Sequence, residues 1–292
     1  MKYIVAHKTT YTYFEPVSMS HHVAKLVPRD TDRQCCRNVH VKIHPQPDNL
    51  NEYIDFFGNK VIYFSVEKEH TQLTVSVRTE IDKDLLASRE INLYNNTTIE
   101  TLKKDLAELR PELAEIRQFI FATPMTEWNE DVAAYALQSF TPGRPVFEAA
   151  RDLMRRIHTD FEFKPGFTTV STPLSVAMRE RKGVCQDFAH LAVACVRSVG
   201  LPARYVSGYI ETISPPGVEK LYGVDASHAW FSVYITNMGW VDFDPTNNII
   251  PGDQYITIGW GREYADVAPL KGIILSSGSH ALKVSVDVKR EG

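Results

Sequence analysis

Hydrophobic and polar residues alternate along 37–44, where Val39, Val41 and Ile43 interleave with His40, Lys42 and His44. A period of two is that of a strand with one face buried. The same alternation runs through 71–81, with Leu73, Val75 and Val77 set against Thr74, Ser76 and Arg78. Between these stretches, Gly58-Asn59 separates 51–57 from 60–66. That arrangement predicts a hairpin closed by a two-residue turn. Residues 1–97 therefore read as an N-terminal antiparallel β module.

From about residue 98 to residue 140 the apolar spacing becomes helical, with breaks at Pro111 and Pro124, and Thr141-Pro142-Gly143-Arg144-Pro145 marks a boundary. Residues 98–145 are expected to form a helical connector, 146–270 a core, and 271–292 a C-terminal strand segment that returns to the N-terminal module. Within the core, Val146, Ala149, Ala150, Leu153 and Ile157 make one helical stripe, and a second helix is expected over about 173–181. Over 184–199, Val184, Phe188, Leu191, Cys195 and Val199 predict a helix with one buried face, started after Gly183 and stopped by Gly200-Leu201-Pro202. Strand patterns follow at 203–211, 228–235, 240–243, 255–260 and 281–288. Helices followed by strands on short turns predict an α+β fold with an antiparallel sheet.

The chain has 292 residues, room for one large or two ordinary domains. Its net charge of −4 and 23% charged residues argue against a general basic coat for nucleic acid. No apolar run reaches the roughly 18 residues needed to cross a bilayer, and Met1-Lys2-Tyr3-Ile4-Val5-Ala6-His7-Lys8 is too polar for a secretory signal. The expectation is a cytoplasmic protein with neither membrane nor nucleic-acid partners. Four cysteines, Cys35, Cys36, Cys185 and Cys195, are too few for a disulfide scaffold. Cys36, His40 and His44 recur every four residues, but they sit in a strand pattern and lack a paired Cys-x-x-Cys, so no metal site is expected. There is no phosphate-cradling glycine loop and no calcium-loop spacing, so no cofactor is expected either.

Three residues attract attention as chemistry. Cys185 opens a helix, where unpaired amides and the aligned peptide dipoles favour a thiolate. His228 starts a strand and has the chemistry of a base for a thiol. Asp244 follows Trp240-Val241-Asp242-Phe243 and can fix the tautomer of such a histidine. Taken singly, each has a plainer structural reading: a turn cysteine, a satisfied histidine, a turn aspartate before Pro245. Cys195, on the apolar face, reads as core.

Taken together, Gly183-Val184-Cys185-Gln186-Asp187-Phe188, then Gly200-Leu201-Pro202-Ala203-Arg204-Tyr205, then Ala226-Ser227-His228-Ala229-Trp230, then Gly239-Trp240-Val241-Asp242-Phe243-Asp244-Pro245-Thr246-Asn247 resemble the transglutaminase-like superfamily. The likeness is to bacterial members of the cysteine protease type. It covers about 146–270, and Thr9-Thr10-Tyr11-Thr12-Tyr13 with 21–29 is similar to the β module preceding such cores. The resemblance implies a papain-like α+β core in which a cysteine-bearing helix packs on an antiparallel sheet. It implies Cys185 as nucleophile, His228 as general acid and base, and Asp244 as the orienting carboxylate, with Asp242 less suited to that role. Relatives often carry an acid four positions after the histidine, where this chain has Ser232. The implied reaction is acyl transfer on an amide or peptide bond through a thioester, with water as default acceptor. Amine transfer and a non-catalytic peptide-binding scaffold are the alternatives. The implied partner is a peptide or protein carrying an amide. The Cys185 N–H is a natural oxyanion donor; the second donor is unassigned.

Overall fold

The computed structural model describes residues 1–83, 95–108, 110–212 and 227–291; Ala226 of the histidine motif lies outside them. The N-terminal part holds six strands: β1 (Lys2–Val17), β2 (Met19–Ala24), β3 (Gln34–His44), β4 (Asn49–Ile54), β5 (Lys60–Val66) and β6 (His70–Lys83). They join two four-stranded antiparallel sheets, and each sheet takes its remaining strand from the end of the chain: β13 (Leu270–Leu275) and β14 (His280–Glu291). One sheet has the order β14-β1-β6-β3 and the other β13-β2-β5-β4. Ile62 and Phe64 of β5 pack against Leu73, Val75 and Val77 of β6, so alternate residues of the two sheets share one core.

Two details depart from the sequence pattern. The Gly58-Asn59 hairpin closes at Ile54↔Lys60, so five residues turn the chain rather than two. Asp55 is the reason: its Oδ1 accepts from the Phe57 and Asn59 N–H groups at 2.9 and 2.8 Å, building the turn on a side chain. In β3 the pairing shifts between Arg37 and His40, with Asn38 in the left-handed region at φ 49°. That bulge leaves Val39 exposed while Val41 and Ile43 pack on the core.

The connector supplies α1 (Ile99–Ala107), the single-turn α2 (Ala114–Arg117) and α3 (Glu130–Leu137). The core adds α4 (Val146–Asp160), α5 (Leu174–Glu180) and α6 (Cys185–Ser198). Two-residue strands β7 (Glu162–Phe163) and β8 (Lys182–Gly183) pair in parallel just ahead of α6. A four-stranded antiparallel sheet of order β11-β10-β9-β12 follows, built from β9 (Ala203–Ile210), β10 (Ser227–Ile235), β11 (Gly239–Phe243) and β12 (Tyr255–Gly261). The sequence predicts one buried face for α6, yet Asp187 to Arg197 are buried without interruption. The sheet residues Phe231 and Val233 cover one side, while α3 and α4 share the same core cluster on the others. Arg197 is admitted because its guanidinium donates to the carbonyls of Phe119, Ala203 and Arg262 and to Thr126 Oγ1.

The N-terminal sheets and the core are joined by a small cluster in which Tyr3, Val5, Val286 and Val288 meet Tyr209 and Ile256. Inside it Tyr209 Oη lies 2.7 Å from His7 Nδ1. Burial holds His7 down at about 4, so the ring stays neutral in this contact.

Candidate active site

Val184 is the N-cap of α6 and has no side-chain oxygen for that role. Asp187, three residues on, takes over the polar work: its Oδ2 accepts from the Val184 N–H at 2.8 Å and from Thr168 Oγ1 at 2.6 Å. A carboxylate in the first turn also suits the helix dipole. The approach is close enough that a Cβ on Gly183 would stand 2.8 Å from Asp187 Oδ2, which explains glycine at that position. The entry to α6 is thereby fixed, and Cys185, its first residue, is left half-buried at the edge of the core.

β10 brings His228 to the same place. Opposite it on β9 is Gly208, where a Cβ would meet the Trp230 ring at 2.4 Å, so glycine there gives room for the indole. Trp230 stacks on His228 with ring centres 6.2 Å apart. The imidazole Nε2 stands 2.8 Å from Asp244 Oδ2. Nδ1 is the nitrogen not engaged by Asp244, and the Cys185 sulfur is near enough to raise the proton affinity of the ring. Burial alone would lower the proton affinity of His228; Asp244 and the Cys185 sulfur outweigh it and raise its pKa from 6.5 to about 9.

Asp244 is fully buried just after β11 and is paired in an isolated bridge with Ile249. Oδ1 accepts from the N–H groups of Thr246 and Asn247 at 2.9 and 3.3 Å. Oδ2 accepts from Asn247 Nδ2 and Tyr255 Oη, each at 2.7 Å, besides facing His228. Burial works against ionisation, but these contacts prevail and hold the carboxyl below its usual range. The loop is pinned from behind by His158 of α4, whose Nδ1 stands 2.9 Å from the Thr246 carbonyl oxygen.

Cys185, His228 and Asp244, chosen from the sequence, are thus brought together. Asp242 is not part of the constellation: it makes no hydrogen bond to His228, and its Oδ1 is buried without a partner. Cys195 lies wholly in the core, where burial pushes its thiol up to about 12. Sequence reasoning missed Asp187, Tyr255 and Asn247. An acid at the third position of a helix is a readable signal for Asp187, whereas Tyr255 reaches Asp244 from another strand and leaves no local trace. Also missed was Tyr205, buried beside Cys185 and Asp187, whose phenol is driven up by burial and by those neighbours.

Residues 133–245 match the family model described as the transglutaminase-like superfamily, and residues 3–82 match the bacterial transglutaminase-like N-terminal region. An uncharacterized protein of Mycobacterium tuberculosis is 39% identical across 98% of this chain and 92% of its own length. The chain belongs to the transglutaminase-like superfamily. A crystal structure described as a "Putative Cysteine Protease" from Cytophaga hutchinsonii superposes with a TM-score of 0.77, covering 100% of this chain and 92% of that one at 22% identity, a likeness of fold. A protein-glutamine gamma-glutamyltransferase of Pseudomonas aeruginosa is 27% identical over 147 residues, which span 44% of this chain and 21% of the relative. Superfamily membership accounts for the α+β core and for the β module in front of it; members of this superfamily are typically cysteine-dependent enzymes. Among the described residues, no group of three or more His, Cys, Asp or Glu side chains is arranged to hold a metal ion, and no helix is long and apolar enough to cross a membrane.

Proposed function

We propose that the chain catalyses acyl transfer from an amide or peptide bond through Cys185, His228 and Asp244, with water as the usual acceptor. The observation that supports this reading is the imidazole engaged by a carboxylate at 2.8 Å, its proton affinity raised further by the nearby thiol that opens α6. A raised proton affinity at His228 favours the imidazolium, the form that can give a proton to a leaving nitrogen. The sulfur attacks the carbonyl carbon, forming a C–S bond. The tetrahedral oxyanion is met by the Cys185 N–H, which helix geometry leaves without an intrahelical acceptor. The C–N bond then breaks and His228 gives its proton to the departing nitrogen. Water attacks the thioester as His228 takes back a proton, and the C–S bond breaks to give a carboxylic acid and the free thiol. Asp244 keeps one ring nitrogen engaged throughout, so that the other faces the reacting atoms.

The likeness to a gamma-glutamyltransferase favours amine as a second acceptor. Ammonia release from glutamine-containing peptides, followed with and without a primary amine, tests both. Release without amine incorporation supports hydrolysis, and incorporation that suppresses acid formation supports transfer. No release from any amide or peptide substrate in a broad library counts against the reading.

A further inference from the structure

The catalytic sheet has two faces, and only one meets α6. On the other, Arg204 of β9, Ser232 of β10 and Asp242 of β11 stand side by side, since Ser232 pairs in register with both neighbours. This face looks across a cavity of about 1290 Å³ toward the N-terminal module and the connector. Trp230, Trp240 and Trp260 are in its wall, as are Phe57 and Phe119, the latter edge-on to Trp240.

Its polar atoms are unusually short of partners. Arg204 Nε, Arg29 Nε, Trp230 Nε1, Ser232 Oγ and Asp242 Oδ1 are buried without a hydrogen bond, five of the eleven such side-chain atoms among the described residues. Arg204, only 7% exposed, has no ion pair among the described residues, and Asp242 is beyond salt-bridge distance from it. Both arginines instead lie over the Trp260 ring, Arg29 at 3.2 Å and Arg204 at 3.7 Å. The usual remedy for a buried guanidinium is an anion. Arg204, Asp242 and the Trp230 indole all line the cavity, while Ser232 lies fully buried between the cation and the carboxylate.

We propose that this cavity binds a carboxylate that carries an N–H donor next to it, the chemistry shared by a free α-amino acid and by the C-terminal residue of a peptide. The carboxylate meets Arg204, with Arg29 and the Trp230 N–H as further donors. The ammonium or amide N–H donates to Asp242, and an apolar side chain is covered by the indoles. Burial lowers the proton affinity of both arginines, Arg204 to about 9 and Arg29 to about 10, which an arriving anion reverses. Because Trp230 and Tyr255 line the cavity and also touch His228 and Asp244, an occupant lies against the back of the proposed catalytic groups. The site itself does not depend on the chemistry proposed for Cys185.

Tryptophan fluorescence and calorimetry of the full chain, titrated with L-phenylalanine, glycyl-phenylalanine and glycyl-phenylalanine amide, test the proposal. We expect saturable binding of a carboxylate ligand with Kd below about 1 mM and at least about tenfold weaker binding of the amide. Tighter binding of the dipeptide assigns a peptide C-terminus, and tighter binding of phenylalanine a free amino acid. Ser232→Glu, which supplies Arg204 with its own anion, abolishes binding without lowering Tm. Asp242→Asn weakens binding at unchanged size, and Cys185→Ala binds as the parent does. The proposal is overturned if neither carboxylate saturates, if the amide binds equally well, or if Asp242→Asn or a folded Ser232→Glu binds undiminished.

Discussion

Tyr255 donates its hydroxyl proton to the same Asp244 oxygen that faces His228, at 2.7 Å, so β12 helps to hold the carboxylate beside the ring. Asp244 is buried and needs every donor it has. Tyr255→Phe removes one without changing the packing. A hydrogen bond to a charged group contributes about 1.5–3 kcal/mol. We expect kcat/KM to fall roughly 10-fold, in line with 1.4 kcal/mol per factor of ten. The acid limb of the profile should move to higher pH, because a carboxyl held down by fewer donors is protonated sooner. An unchanged acid limb shows that Tyr255 only packs there.

The histidine sets the alkaline side. Its folded pKa of about 9 lies above the ordinary 6.5, so its contribution to stability is complete below pH 6.5 and is lost as pH rises through 9. NMR titration of the His228 ring should give a midpoint near 9, falling when Asp244→Ala removes the carboxylate. A midpoint at the ordinary value in the parent protein contradicts the pairing.

Substitution of the three proposed catalytic groups should be graded. Cys185→Ala removes all acyl transfer and His228→Ala nearly all. Asp244→Ala leaves more, because it orients a group that still transfers protons. Equal residual activity in all three points to a different nucleophile.

Asp187→Ala removes the acceptor for the Val184 N–H and for Thr168. Loss of a capping side chain costs about 1 kcal/mol, read as a lower Tm. Alkylation of Cys185 by iodoacetamide should slow as its helix start loosens. Cys195, enclosed and pushed up to about 12, should stay unlabelled in the folded protein.

Deleting residues 279–292 strips β14 from most of β1, where it pairs from Lys2↔Glu291 to Tyr13↔His280. Hydrogen exchange should rise first in β1 and β6, then at Tyr209, since Val286 and Val288 also support the joint to the core. Protection lost first in α6 argues against this order.

What the sequence made legible follows the reach of its signals. Alternation found β6 because every second residue from Leu73 to Val77 meets the opposing sheet. Glycines bracketed α6, and the run ending Asp244-Pro245 located an acid that the fold turns toward His228. The strand at Leu270–Leu275 went unread, since it is a largely exposed edge interrupted by Gly272 and lacks alternation. The longer hairpin turn depends on the side chain of Asp55 as well as on its backbone. Tyr255 with Asp244 and Arg204 with Ser232 are contacts between strands, which no single window of sequence contains.

The most direct test of the central claim is mass spectrometry of the intact chain, quenched in acid while it turns over glutamine-containing peptides. The account predicts a peptide joined to Cys185 as a thioester with loss of ammonia or amine, discharged by hydroxylamine and missing in Cys185→Ala. An adduct that persists in Cys185→Ala, or turnover without any Cys185 adduct under conditions that trap thioesters, contradicts it.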